Sequence, residues 1–313
     1  MSKVKLTFLG TGTSQGIPII GCQCDVCRSA DSKDKRLRSS ALLEVGGLTI
    51  LIDAGPDFRT QMLRADVGHL DAILLTHNHM DHTGGLDDVR SFNYIDRKPA
   101  RIFCEQKVLE SLKIFYSYAF AENKYPGAPE WRVSVIENKP FLVFPNNTGE
   151  LVWMHDHGYC TKMPDGSVVP CGNDIVRRAA GPDDPDSACI DTDGRSMDRS
   201  KAVTIIPIRG YHDKMPVLGF RFGDIAYLTD MSSIPPEELE KLRGLKHVTL
   251  NTVSYNKHHS HFSLDEAVEL AGVIGAEHTW LTHLSHTFPR HKQFCKDLPD
   301  GIAPAYDGLV IEA

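Results

Sequence analysis

The chain has 313 residues, enough for one or two domains around a large buried core. Its 41% hydrophobic and 24% charged content is that of an ordinary globular enzyme, and a net charge of -7 argues against broad electrostatic binding of nucleic acid. No apolar run reaches membrane-spanning length and Met1-Ser2-Lys3 leads directly into a strand pattern, so a cytoplasmic protein without a membrane partner is expected, its eight cysteines reduced or metal-bound instead of paired.

Val4-Lys5-Leu6-Thr7-Phe8-Leu9 alternates as a strand. The glycine-rich turn Gly10-Thr11-Gly12-Thr13-Ser14-Gln15-Gly16 follows, but Pro18 and cysteines stand where a nucleotide-binding helix would begin. It reads as a tight loop near a site and not as a phosphate cradle. Cys22-Gln23-Cys24-Asp25-Val26-Cys27 then places three thiols in six residues, part of a tetrahedral structural zinc site in need of one more ligand. Residues 41–45 and 48–52 form a hairpin around Gly46-Gly47. Asp53 closes the second strand, either as a turn residue or as a support for a ligand histidine.

A short helix is expected over 56–65, and Ala72-Ile73-Leu74-Leu75 reads as a buried strand. Next comes Thr76-His77-Asn78-His79-Met80-Asp81-His82. Along an extended segment His77, His79 and Asp81 point to one side. His82 follows, and Gly84-Gly85 lets the backbone turn into a helix. Imidazole nitrogens with a carboxylate oxygen suit zinc, manganese or iron. Four such donors in six residues are too many for one open site, which suggests two ions side by side.

That segment matches the HxHxDH signature of the metallo-β-lactamase superfamily, which the sequence resembles over most of its length. The resemblance implies an α/β fold, a four-layer αββα sandwich of two mixed β-sheets flanked by helices, and hydrolysis at a binuclear metal site. The cysteine cluster is similar to the CxCxxC of one branch, the phosphoribosyl 1,2-cyclic phosphate phosphodiesterases of the carbon–phosphorus lyase pathway. There the fourth ligand is the second histidine of a late Thr-His-x-Ser-His motif, matched by Thr282-His283-Leu284-Ser285-His286. By that resemblance His286 completes a structural zinc site with Cys22, Cys24 and Cys27.

Helix is expected over 85–94 and 107–120, with a strand at 101–104 between them. From about 145 to 201 the rhythm breaks: Asp, Gly, Pro and Ser are dense and periodicity is poor. A single domain covering 1–313 with an insertion there is the expected organisation. The insertion carries His155, His157, Cys160 and Cys171, which offer a further four-ligand metal site, although a lid without metal is the simpler reading.

Strand pattern returns at 203–208 and ends at Gly210-Tyr211-His212, followed by a hairpin over 217–230 that closes on Asp230. Pro235-Pro236-Glu237-Glu238 opens a helix. His258-His259-Ser260-His261 precedes Ser263 and Glu266, a capping box for an apolar-periodic helix ending at Gly275. The resemblance assigns the roles. One ion takes His77, His79 and His212; the other takes Asp81, His82 and His283; Asp230 bridges them. A bridging hydroxide attacks phosphorus, Asp81 orients it, and His261, with His258 and His259 as competitors, protonates the leaving oxygen.

A metal-dependent phosphodiesterase for small cyclic or nucleotide-like phosphodiesters is therefore the leading expectation, with two Zn or Mn ions (Fe being the other candidate) and one structural Zn. An RNA-processing nuclease of the same superfamily comes second, since no long basic run offers an RNA exosite. Thioester or lactam hydrolysis uses the same fold. A non-catalytic zinc-binding module is the reading from a different class, and the intact ligand set speaks against it. The sequence leaves the natural substrate open, and it is compatible with a homodimer.

Overall fold

The computed structural model describes residues 3–146, 150–154, 158–162, 168–170, 176–178 and 199–313. They fall into two compact units, Gly46–Ile205 and Met1–Val45 with Ile206–Ala313.

The unit Gly46–Ile205 is built on parallel strands. Leu48–Ile52, Ala72–Leu74, Ala100–Cys104 and Trp131–Val135 pair side by side in that order, with Val176–Arg178 beyond them. Ile52, Leu74 and Ile102 are fully buried, as expected of parallel strands covered on both faces. The helices Phe58–Arg64, Arg90–Asp96 and Gln106–Phe115 belong to this unit, the last burying Val108, Leu109 and Leu112 along one stripe. Ligands of parallel sheets gather beyond the carboxyl ends of the strands. His77 follows Ala72–Leu74 there, and Asp53 follows Leu48–Ile52.

Trp131–Val135 and Phe141–Val143 are strands that periodicity did not announce. Trp131, Arg132 and Val133 are all buried, so no alternation marks the first, and the second has only three residues. The expected insertion contains more order than its composition suggests: Glu150–Met154, Gly158–Lys162 and Val168–Pro170 form a small antiparallel sheet. The metal site considered for His155, His157, Cys160 and Cys171 lies, but for the backbone of Cys160, outside the described residues.

In the other unit, Val4–Gly10 pairs antiparallel with Ser40–Val45 on one side and Val310–Glu312 on the other. A second run starts with the antiparallel strands Val203–His212 (paired from Ile206 on), Met215–Phe222 and Ile225–Tyr227. It continues in parallel through His247–Asn251, His278–Thr282 and Ile302–Pro304. The capping box of the sequence is present: Ser263 accepts from the Glu266 N–H and Glu266 returns to the Ser263 N–H. The helix Leu264–Ile274 buries Leu264, Ala267, Ala271 and Ile274, then stops at Gly275, whose φ of 67° is left-handed. Pro236–Leu242 is 3-10 helix where α-helix was the natural reading. Its Glu238 turns inward instead, accepting from the Arg209 N–H at 2.7 Å and pairing with Lys241 at 2.8 Å.

Strands and flanking helices are those of the expected αββα class, two mixed sheets with helices outside. Among the described residues no helix is long and apolar enough to cross a membrane.

Candidate metal centres

In the unit Gly46–Ile205 the histidine loop is fastened to the loop after Leu48–Ile52. Ala54 N–H donates to His82 O at 2.8 Å and Gly85 N–H to Ala54 O at 2.8 Å. Gly55 is required there, because a Cβ would land on the Asp81 carbonyl oxygen. Asp53 is completely buried with φ 61°, a strained conformation of the kind that collects at functional sites. Its carboxylate accepts from Thr76 N–H at 2.9 Å, Thr76 Oγ1 at 2.8 Å and His82 Nδ1 at 2.7 Å. Burial pushes the Asp53 carboxyl upward, against the pull of His82 and the Thr76 bonds. Of its two sequence readings, the geometry has Asp53 holding the ring of His82, one of the expected ligands.

His77, His79 and His82 crowd together, with ring centroids 4.7 Å apart for His77–His79 and 4.2 Å for His77–His82. The expectation that His77, His79 and Asp81 share one side of an extended segment needs correction at its last member. Met80–Thr83 is already helical, with His79 as its N-cap, so Asp81 is delivered by a helical first turn. Gly84 and Gly85, packed too tightly for any side chain, let that turn start early. Asp81 Oδ2 still reaches within 3.3 Å of His82 Nε2.

In the other unit His212 ends the strand Val203–His212, while Asp230 and His283 sit just past short strands with φ of 57° and 55°. Asp230 and His283 are almost fully buried. Thr229 Oγ1 donates to Asp230 Oδ1 at 2.7 Å, and His283 Nδ1 lies 2.9 Å from the same oxygen. His261 stacks on His283 at 4.8 Å and meets His212 edge-on at 4.6 Å. His258 stands next to it at 5.2 Å, and His259 stands next to His258 at 4.5 Å. Of the three competitors His261 is thus the one beside the expected ligands. Donor atoms of His212, Asp230 and His261 lie within 4.8 Å of one another. Burial, with His283 and His212 beside it, holds the His261 imidazole down to about 3.

Whether these donors suit metal ions is answered by where the protons go. His82 Nδ1 donates to Asp53, and His212 Nδ1 to the Asp230 carbonyl at 3.2 Å. Thr76 gives its own proton to Asp53, so at 2.9 Å it can only accept from His77 Nδ1. Each of the three therefore keeps Nε2 as its lone-pair nitrogen, the form a divalent ion requires. Each of these imidazoles, within its own unit, is in the form the implied metal ions need.

The cysteine cluster lies wholly in the unit of both termini. Cys22, Cys24 and Cys27 Sγ stand 3.2, 3.5 and 3.7 Å from His286 Nδ1, a four-donor convergence. Backbone N–H groups support the sulfurs: Cys27 donates to Cys24 Sγ at 3.5 Å and Ile19 to Cys27 Sγ at 3.4 Å. The Cys27 N–H holds the Cys24 thiol down to about 6, whereas burial pushes Cys27 up to about 11. Three thiols and one imidazole fit a tetrahedral structural ion. The glycine-rich loop lies beside His283, as Leu284 N–H donates to Thr11 O at 2.9 Å. Sequence reasoning missed Thr76 and Ser39. Thr76 adjoins His77 and was open to view; Ser39 lies 244 positions from its partner His283, and nothing local marks it.

The profile of the β-lactamase superfamily domain matches residues 49–155 and 177–284, leaving out part of the expected insertion. The chain is 35% identical over 308 residues to a protein of Porphyromonas gingivalis named octanoyltransferase, covering 98% of this chain and 51% of that one. It thus spans about half the length of that curated relative. A crystal structure of a diphosphatase from the PhnP family is 32% identical with a TM-score of 0.75, covering 100% of this chain and 98% of that one. The short form of human tRNase Z, at 17% identity and a TM-score of 0.56 over 98% of each chain, shares the fold alone.

Proposed function

We propose that this chain, which belongs to the β-lactamase superfamily of hydrolases and within it resembles the PhnP family, is a binuclear metal-dependent phosphodiesterase acting on small cyclic or nucleotide-like phosphodiesters. The ligand set is His77, His79, Asp81 and His82 together with His212, Asp230 and His283, joined according to the superfamily's pattern. The observation that carries the reading is the committed Nδ1 of His77, His82 and His212, which leaves each ring one nitrogen suited to a cation. Zinc, manganese and iron all suit the set. Cys22, Cys24, Cys27 and His286 hold a separate structural zinc.

When bound, the ion pair lowers the pKa of a water and offsets charge on the phosphoryl oxygens. Asp81 orients that water. His261, beside the expected ligands, takes up the proton that the attacking water loses and passes it to the leaving oxygen. The His261→Ala chain should keep its metal content and lose roughly 10²–10⁴ in rate, most for poor leaving groups. Unchanged rates in that variant, or a loss equal on activated and unactivated esters, would remove it as the acid.

The PhnP-family diphosphatase favours a second reading, cleavage of a P–O–P bond by the same groups. Metal-reconstituted protein should be offered cyclic phosphates, nucleotide diesters, diphosphate diesters, a small structured RNA and acyl thioesters. Turnover of the phosphorus compounds alone supports the proposal and ranks the two bonds. Turnover of RNA or thioester alone rejects it.

A further inference from the structure

Ser39 immediately precedes the strand Ser40–Val45 and is 1% exposed, too buried for its hydroxyl to be a surface accident. Its Oγ lies 3.0 Å from the Gly12 carbonyl oxygen and 3.1 Å from His283 Nδ1. His283 Nδ1 is also 2.9 Å from Asp230 Oδ1. A carbonyl and a carboxylate can only accept, and a serine has one proton to give. One assignment satisfies these three contacts: the carboxylate requires a proton on His283 Nδ1, Ser39 accepts that same N–H, and Ser39 sends its own proton to Gly12. With the serine proton turned toward the imidazole, Asp230 Oδ1 would face an unprotonated nitrogen, lone pair against lone pair.

We infer that Ser39 is a positioning residue for His283, accepting its Nδ1–H so that Nε2 is reserved for the metal ion. This rests on the reading of His283 as a ligand. Thr76 stands in the same relation to His77, with its proton given to Asp53 and its lone pair to the ring, so the chain uses one device twice. His283 needs the help more, since its φ of 55° is strained and its loop is held through Leu284 to Thr11. A His–Ser–carbonyl chain also polarises along its length, raising the basicity of the coordinating nitrogen.

The test uses the full chain and Zn²⁺ competed against a chromophoric chelator. Ser39→Ala should weaken binding of the more loosely held active-site ion by roughly 10–100-fold, and Ser39→Thr, which keeps the hydroxyl, should recover most of it. Thr11→Val is the control: it removes the Thr11 hydroxyl's bonds to Asp307 and Arg36 but keeps the backbone carbonyl that Leu284 N–H donates to, and should leave ion affinity unchanged. In a His283→Ala background, Ser39→Ala should add nothing. Imidazole ¹⁵N shifts of the wild-type metal-free chain give a reading that needs no variant, with His283 protonated at Nδ1. Wild-type affinity in Ser39→Ala, an equal loss in Thr11→Val, or a proton on Nε2 overturns the inference. Full metal loading in His283→Ala instead overturns the ligand reading beneath it.

Discussion

Asp53 shows how much one carboxylate can organise when it is cut off from water. Three donors converge on it, two from Thr76 and one from His82, and together they hold the charge that burial disfavours. An asparagine of the same shape has one accepting oxygen and turns an NH₂ toward one of those donors. Asp53→Asn should therefore release the His82 ring from its fixed tautomer and weaken metal binding by roughly 10–100-fold. Chelator competition would measure this, and unchanged affinity would show that His82 is oriented by other means. Gly55 is the steric counterpart. A methyl group at Gly55→Ala meets the Asp81 carbonyl, so the backbone carrying two expected ligands has to move. The variant should fold with a lower Tm and bind fewer than two active-site ions, as metal analysis of the purified chain would reveal.

At the scale of elements, His69 ties the end of the helix Arg90–Asp96 to the residue before the strand Ala72–Leu74. Its ring reaches Asp96 Oδ2 at 2.8 Å and Asp71 Oδ1 at 3.1 Å. Burial pulls the imidazole down, but the bonds and charges of the two carboxylates outweigh it and leave His69 above its ordinary value. A histidine raised on folding contributes stability that is complete below its unfolded value near 6.5 and fades as pH rises past the folded one. The ring is partly exposed, so screening limits the effect to about 1 kcal/mol. Thermal unfolding of wild type against His69→Gln should show a gap near pH 5.5 that closes by pH 8.5; a gap that widens would reverse the sign. Elements of this kind were unevenly legible. The capping box and Gly275 announced the helix Leu264–Ile274 because caps are local chemistry. Trp131–Val135 stays hidden because its burial erases alternation, and the sequence puts Asp81 on extended chain because nothing in it shows how tightly Gly55, Gly84 and Gly85 are packed.

For the molecule as a whole, what the sequence could say depended on whether partners are near each other along the chain. The HxHxDH cluster identifies itself, while His212, Asp230 and His283 are single residues at strand ends, found through the family's pattern and not through any local signal. The Cys22–Cys24–Cys27–His286 centre joins the two kinds, since its thiols are clustered and its fourth donor lies 264 positions from the first. Closing so long a loop in the unfolded chain is entropically costly, so an ion bound only by the folded form stabilises by mass action, about 2.7 kcal/mol at one hundred times its dissociation constant. His286 is three residues beyond His283, an expected active-site ligand, and Ser285 between them donates to the Val253 carbonyl at 2.6 Å, so an ion held by His286 should help to fix that backbone. Removing it should act in two steps. Mild chelation that strips the active-site ions first should abolish turnover with a modest fall in Tm. Loss of the thiolate-bound ion, followed by a thiol-reactive dye, should then lower Tm further and expose three reactive cysteines together. Cys27→Ser should reproduce the second fall and also reduce the affinity of the active-site ions, because the His283 loop loses its anchor. If Cys27→Ser matched wild type in Tm and in active-site metal affinity, the cysteine centre would be a bystander to both stability and catalysis.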